Sequence, residues 1–202
     1  MDGEVPMPRR GRYTVEDVLA LRGDDRRHEL IAGRLVISPA PVPGHRTVAA
    51  RLARILDDAA PDGHGAAQNV TLAIGAELLM PAVTVARAGG LAEPDPLLDP
   101  ADVLAVAEII GPGKSEFELD WKPALYARAG LATYLQIEPL GLGRPLVEVF
   151  RLGDDGRYRS LAQAGAGSRL KLTDPFSIAF DPAVLTAPGV SRTPGRALRL
   201  GG

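Results

Sequence analysis

The chain has 202 residues, which fits one domain with short tails, and its formal net charge is -2. Hydrophobic residues make up 46% and charged residues 24%, as in an average globular domain with a sizeable core. The absence of cysteine excludes a disulfide framework and any thiolate metal site. The slightly acidic balance argues against a passive DNA coat, but it leaves room for a nuclease, whose metal-binding carboxylates offset basic patches.

No long apolar stretch follows the basic residues near the amino terminus, so no secretory signal peptide is predicted. No apolar run reaches the ~20 residues of a membrane span. These features predict a cytoplasmic protein with no membrane partner.

The predicted elements begin with a short helix that is capped by Thr14 and ends near Leu21. A hairpin with its turn at Ala32-Gly33 follows, and apolar residues at helical spacing then predict a long amphipathic helix over 45–60. Short runs rich in β-branched residues predict strands over 68–74, 82–87, 103–110, 133–138, 146–152, 158–162 and 176–180, with a loop between the second and third of them. A second helix is predicted over 117–130, with Trp121 on its apolar face and Gly130 at its end.

This order of elements predicts an α/β fold in which helices flank a mixed central β-sheet. The domain is predicted to cover residues 13–186. The tails, 1–12 and 187–202, have no hydrophobic periodicity and are predicted to be flexible.

Most common catalytic motifs are missing. There is no phosphate-binding loop, no G-x-S-x-G turn and no cysteine nucleophile, and the three histidines do not pair at zinc-ligand spacing. Carboxylates and lysines remain as candidates, and Glu108 stands out because it lies within the apolar strand pattern of 103–110. A buried acid is costly unless it is paired or binds metal, whereas an acid at a strand end can simply face solvent. Taken singly, Glu29 is more readily interpreted as a surface acid near Arg26 or Arg27, and Lys122 as an ordinary exposed lysine of a helix.

In combination these residues resemble the Uma-type restriction endonuclease family of the PD-(D/E)XK nuclease superfamily. The stretch HELIAGRLVISPAPVPGH is similar to that family's Glu-Leu-Ile-x-Gly-x-Leu hairpin and the Ser-Pro-x-Pro-x-x-x-His sequence before its long helix. Further along, the spacing of Glu108, Lys122, Tyr126 and Gly130 is the one that the family shows. The resemblance covers about residues 12–185 and implies a restriction-endonuclease-like core that hydrolyses phosphodiester bonds of DNA.

The resemblance also implies site residues and a cofactor. Glu29, position 82 and Glu108 would bind Mg²⁺ or Mn²⁺, since hard cations prefer oxygen ligands. Lys122, supplied by a helix, would stand in for the lysine that usually follows the strand acid by two residues, where this chain has Ile110. With Glu29 and Glu108 it would form the catalytic set, orienting water or stabilising charge on the phosphate.

The chain departs from the family at the metal site, because Pro81-Ala82 replaces the expected Pro-Asp. A methyl group cannot coordinate metal, so cleavage is expected to be impaired. Three explanations stay open: an engineered change, natural decay into a nucleic-acid-binding or interaction module, or compensation by another acid, of which Asp95 is a weak candidate because it falls in a loop.

Candidate DNA contacts are Arg46 and Arg51 on the long helix, together with Lys114. A solvated helix face explains the two arginines equally well. Analogy with restriction enzymes that cut both strands favours a homodimer. RNA is a third, weaker possibility as the substrate.

Overall fold

A computed structural model describes residues 12–21, 26–38, 41–93, 97–111, 117–139 and 145–187. The helices are α1 (Val15–Leu19), α2 (Pro43–Ala59), α3 (Ala88–Leu91), α4 (Lys122–Arg128) and α5 (Ala183–Thr186). The strands are β1 (Arg27–Ile31), β2 (Arg34–Ser38), β3 (His64–Gln68), β4 (Thr71–Ile74), β5 (Glu77–Leu79), β6 (Val83–Arg87), β7 (Leu97–Leu98), β8 (Val103–Ile109), β9 (Thr133–Glu138), β10 (Leu146–Leu152), β11 (Tyr158–Gly165), β12 (Leu170–Leu172) and β13 (Ile178–Phe180). A 3-10 turn (Pro100–Asp102) precedes β8, and a π-helical turn (Phe117–Trp121) runs into α4.

A mixed sheet forms the centre of the described molecule, with six strands in the order β11-β10-β9-β8-β6-β3. Its neighbouring strands are antiparallel except β8 and β9, which are parallel. A parallel pair needs a crossover connection, and this one carries α4. The predicted α/β fold, a mixed sheet flanked by helices, is confirmed.

The long helix α2 covers one face of this sheet. Its apolar positions Val48, Leu52 and Leu56 are buried against side chains of β6, β8 and β9. Burying each such side chain contributes roughly 1.5–3 kcal/mol. The hairpin β12–β13 and helix α5 close the same core.

A second sheet lies toward the other face, with the strand order β2-β1-β5-β4-β7. Its apolar side chains, including Ile31 and Leu72, share a core with Val106, Tyr126 and Tyr134. The ring of Tyr134 stacks on Phe150, with centroids 5.5 Å apart. The central sheet is therefore covered by a helix on one side and by α4 with a second sheet on the other.

The turn between β1 and β2 lies at Ala32-Gly33, as predicted. Both residues have positive φ, 51° at Ala32 and 73° at Gly33, and the Gly33 carbonyl accepts a hydrogen bond from the Tyr13 amide. A glycine fits here because L side chains adopt this backbone region only with strain. The turn fixes the register in which Glu29 pairs with Val36.

The prediction of one strand over 68–74 was wrong. The structure has two strands, β3 in the central sheet and β4 in the second sheet, separated at Asn69, whose φ is 53°. Asparagine tolerates the left-handed conformation because its short amide bonds locally, and this ends the first strand. The alternation of apolar and polar residues does not show that the chain passes from one sheet to another at this residue.

Three further details differ from the prediction. Trp121 is 55% exposed rather than on the apolar face of the second helix, because α4 begins only at Lys122 and the turn before it is π-helical. The short strands β5, β7 and β12 have too few residues to show a period. The predicted loop after β6 contains α3, β7 and the 3-10 turn. Of the predicted tails, only Arg12 and Ala187 are among the described residues.

No helix within the described ranges is both long and apolar enough to cross a membrane.

Candidate functional site

Three residues singled out in the sequence meet at one point. The Lys122 ammonium nitrogen Nζ lies 2.9 Å from Glu29 Oε1 and 3.1 Å from Glu108 Oε1. All three are buried, at 3%, 1% and 4% exposure. The carboxylates come from different sheets, Glu29 from β1 and Glu108 from the end of β8, and the first residue of α4 joins them.

An arginine that sequence reasoning did not single out completes the charge pattern. Arg27 lies on β1, two residues from Glu29, so that both side chains share one face of the strand. Its Nη2 lies 3.5 Å from Glu29 Oε1 and 3.9 Å from Glu108 Oε2, and it donates to the Met80 carbonyl. The signal was its i, i+2 spacing from Glu29, but a surface Arg-x-Glu pair has the same spacing.

Tyr126 is the second residue whose contact was missed. One turn after Lys122, its buried hydroxyl donates a hydrogen bond of 2.6 Å to Glu108 Oε1. Burial alone would raise the pKa of Glu108, but the nearby charges of Lys122 and Arg27 and the Tyr126 and Lys122 hydrogen bonds hold that pKa below its ordinary value. Burial, followed by the adjacent carboxylates, raises the pKa of Tyr126 well above its ordinary value. Glu108 is therefore held as a carboxylate and Tyr126 as a neutral donor.

The peptide of Met80 is held on both sides by β1. The Met80 amide donates to Glu29 Oε1 at 2.9 Å, and its carbonyl accepts from Arg27. Two residues later Ala82 is fully buried among apolar side chains. In the antiparallel pair of β6 and β8, Val83 lies opposite Ala107, so Ala82, just before β6, and Glu108 lie at the same end of this pair.

A comparison with known proteins fits this arrangement. A family model described as "Putative restriction endonuclease", named Uma2, matches residues 15–186. The chain belongs to the Uma2 family. The resemblance drawn from the motifs is thereby confirmed over nearly the same range.

A solved structure shows the same fold. It is described as a putative nuclease belonging to DUF820, from Anabaena variabilis, and is 14% identical with a TM-score of 0.60. The match covers 79% of this chain and 88% of that one. At this identity the likeness establishes the fold alone. No match was found among curated proteins.

The residues of this Uma2 chain do not fit a divalent metal. In the described ranges no group of three or more His, Cys, Asp or Glu side chains is placed to hold an ion. Position 82 offers a methyl group, and the remaining carboxylates, Glu29 and Glu108, both contact Lys122 and Arg27. Asp95 lies outside the described residues.

Neighbouring polar contacts fix the elements that carry the site. Glu77 Oε2 accepts from the Ala32 amide at 2.7 Å, and its Oε1 lies 3.6 Å from Arg128 Nη2. It therefore links the β1–β2 turn to the last turn of α4. On β9, Gln136 pairs in register with Glu108 and donates to Glu138 at 3.1 Å.

Of the candidate DNA contacts, Arg51 is engaged away from this cluster. Arg51 donates through Nη1 to the carbonyls of Val184, Leu185 and Ala187, at 3.3, 3.1 and 2.6 Å. These contacts favour a structural role at the end of α5. Arg46 is exposed in the first turn of α2, and Lys114 lies outside the described residues. Their roles in binding DNA stay predictions.

Proposed function

We propose that this chain has the architecture of a metal-dependent DNA endonuclease, and that its phosphodiester hydrolysis is impaired because Ala82 lacks the metal-binding carboxylate. Membership of the Uma2 family supports a nuclease. The observation that carries the proposal is the convergence of Glu29, Glu108 and Lys122 through ion pairs at the end of the β6–β8 pair where the buried Ala82 also lies. This convergence supports the proposal that position 82 belongs to the same site and lacks the carboxylate expected there.

The contacts of Lys122 support the proposal that hydrolysis is impaired. Its ammonium group is engaged by two carboxylates, and it is almost fully buried. A lysine in that state is held as a counter-ion and is not available to orient water or to stabilise charge on a phosphate. A third carboxylate at position 82 would give the cluster one more negative than positive charge. That excess negative charge would favour binding of a metal ion.

Cleavage of supercoiled plasmid with Mn²⁺ and with Mg²⁺ tests this proposal. The unmodified chain is expected to leave the plasmid intact, while Ala82→Asp nicks or linearises it. Ala82→Asn is the matched control, because it has nearly the same size and no negative charge. In the background of Ala82→Asp, Glu108→Gln should abolish cutting.

Two results would contradict the proposal. Cleavage by the unmodified chain that Glu108→Gln stops would mean that another acid supplies the missing ligand. No cleavage of DNA or RNA by a folded Ala82→Asp protein would remove the catalytic reading and favour a module that binds without cutting. Circular dichroism melting curves establish folding, since a buried aspartate is itself destabilising.

A binding module that retains the nuclease fold is the second candidate. It is favoured by the ion pairs between the two buried acids and two cations, because such pairs can have a purely structural role. The expected property is DNA binding by surface arginines that weakens steeply with salt. Fluorescence anisotropy of labelled DNA at two salt concentrations, with Arg46→Ala as the test variant, would detect it.

A homodimer, a cytoplasmic location and flexible tails beyond residues 13–186 complete the proposal as predictions from the sequence. Sedimentation velocity measures the first of these directly.

A further inference from the structure

Among the described residues, the ionic groups of the buried cluster match in charge. It contains the carboxylates of Glu29 and Glu108 and the cations of Lys122 and Arg27, and each cation contacts both acids. The formal charges sum to zero. The Lys122 ammonium lies at ordinary hydrogen-bond distance from one oxygen of each carboxylate, 2.9 Å from Glu29 and 3.1 Å from Glu108, and so contacts the oxygens that a metal ion would need as ligands.

We propose that Lys122 and Arg27 are internal counter-ions that replace a divalent metal, so that the cluster assembles and stabilises the fold without any added cation. This proposal concerns the same site as the proposed function, but it does not require that the protein cut DNA. Its distinctive part is Arg27, which is assigned the role of a positioning residue.

The contacts of Arg27 support that role in two ways. Its guanidinium group lies between the two acids and supplies the second positive charge. It also donates to the Met80 carbonyl, while Glu29 accepts from the Met80 amide. The Arg27–Glu29 pair therefore holds both polar groups of one peptide, and that peptide leads into Pro81-Ala82. Planar guanidinium groups suit this combined task because their donors point in fixed directions.

The net charge of the cluster should determine its affinity for a divalent cation. With Ala82 the cluster is neutral, so a divalent cation would have to displace a lysine and an arginine that are already paired. An aspartate at position 82 would make the cluster net negative by one charge. Removing the charge of Arg27 from that variant would make it net negative by two, and cation affinity should rise at each step.

Thermal unfolding and calorimetric titration with MnCl₂ test this on the full chain. The unmodified protein should have the same Tm in EDTA and in Mn²⁺ and should show no binding heat. Ala82→Asp should have a lower Tm in EDTA, a Tm that rises with Mn²⁺ and a measurable Kd. Adding Arg27→Gln to Ala82→Asp should lower the Kd for Mn²⁺ further, because it removes a positive charge that lies 3.5 Å from Glu29 and 3.9 Å from Glu108. Arg27→Lys in the same background should restore the weaker binding.

Mn²⁺ binding by the unmodified chain that disappears in Glu108→Gln would overturn the proposal. So would equal Mn²⁺ affinity in Ala82→Asp with and without Arg27→Gln. If the double variant does not fold, the measurement on the unmodified chain still decides the matter alone. The readouts are Tm and binding heat, so a failed plasmid assay with these results intact would contradict only the proposed function.

Discussion

Removing a buried ammonium group while its two carboxylate partners stay buried is costly, because their negative charge is left uncompensated. In Lys122→Met the acids Glu29 and Glu108 would keep Arg27 alone as a cation, so the free energy of unfolding is expected to fall by about 3–5 kcal/mol. Urea denaturation measures the change. Lys171→Met, at an exposed position of β12, is the control and should change stability by less than about 0.5 kcal/mol.

A second variant separates lost charge balance from lost packing. Combining Lys122→Met with Glu108→Gln removes one charge of each sign, and it should recover part of the lost stability. Equal destabilisation of the single and double variants would mean that packing, not charge, accounts for the effect.

The hydroxyl of Tyr126 leads to a prediction about pH. Glu108 has a pKa below its ordinary value in the folded protein, so its contribution to stability is present above the pKa of the unfolded state and is lost as pH falls through the folded one. Tyr126→Phe removes a 2.6 Å hydrogen bond, raises the pKa of Glu108 and should move this acid-induced loss to higher pH. At neutral pH the cost should be about 1.5–3 kcal/mol.

Stability measured by urea denaturation across the acidic range tests the shift. Tyr158→Phe is the matched control, because the Tyr158 hydroxyl donates to the Leu131 carbonyl rather than to a carboxylate in the part of the chain that the structure describes. Parallel pH profiles for the unmodified chain and Tyr126→Phe would show that the hydroxyl does not tune Glu108.

At the scale of elements, Arg51 of α2 links that helix to the end of α5. Arg51→Ala would leave three carbonyl groups at the end of α5 without their donor, and stability should fall by about 1–3 kcal/mol. Amide hydrogen exchange at Leu185 should become faster. Arg54→Ala is the control, since its pair with Asp58 is exposed and contributes about 0.5 kcal/mol or less. Unchanged exchange at Leu185 in Arg51→Ala would contradict the structural role.

Elements with a clear period were predictable, and elements fixed by long-range pairing were not. The hairpin at Ala32-Gly33 and the strands β9 and β10 have the predicted bounds, because turn chemistry and alternation are local. The split at Asn69 was missed because it depends on two sheets competing for adjacent residues. Strands of two or three residues, such as β7, owe their conformation to a neighbouring strand rather than to their own side chains.

At the scale of the whole molecule, the candidate site also has a part that local sequence patterns predict and a part that only the fold brings together. Glu108 was noticeable as an acid in an apolar strand, and family spacing pointed to Glu29 and Lys122. The roles of Arg27 and the Met80 peptide could not be predicted from the sequence. An arginine is a common surface residue, and every residue has the same backbone groups except that proline lacks the amide hydrogen. Charge balance is a property of the assembled fold, and no linear pattern encodes it.

The cluster also has a consequence for the order of events in folding. Arg27 and Glu29 on β1 contact Met80, which follows them by 53 and 51 positions in the chain. Glu108 on β8 contacts Lys122 and Tyr126, which follow it by 14 and 18 positions. Closing such loops carries an entropic cost, and charges drawn from water before all partners have arrived would be penalised. The ion pairs should therefore form after the rate-limiting step, so Lys122→Met should accelerate unfolding while leaving the refolding rate almost unchanged. Stopped-flow measurements would then show that the cluster slows unfolding and lengthens the lifetime of the folded chain, but does not speed its folding.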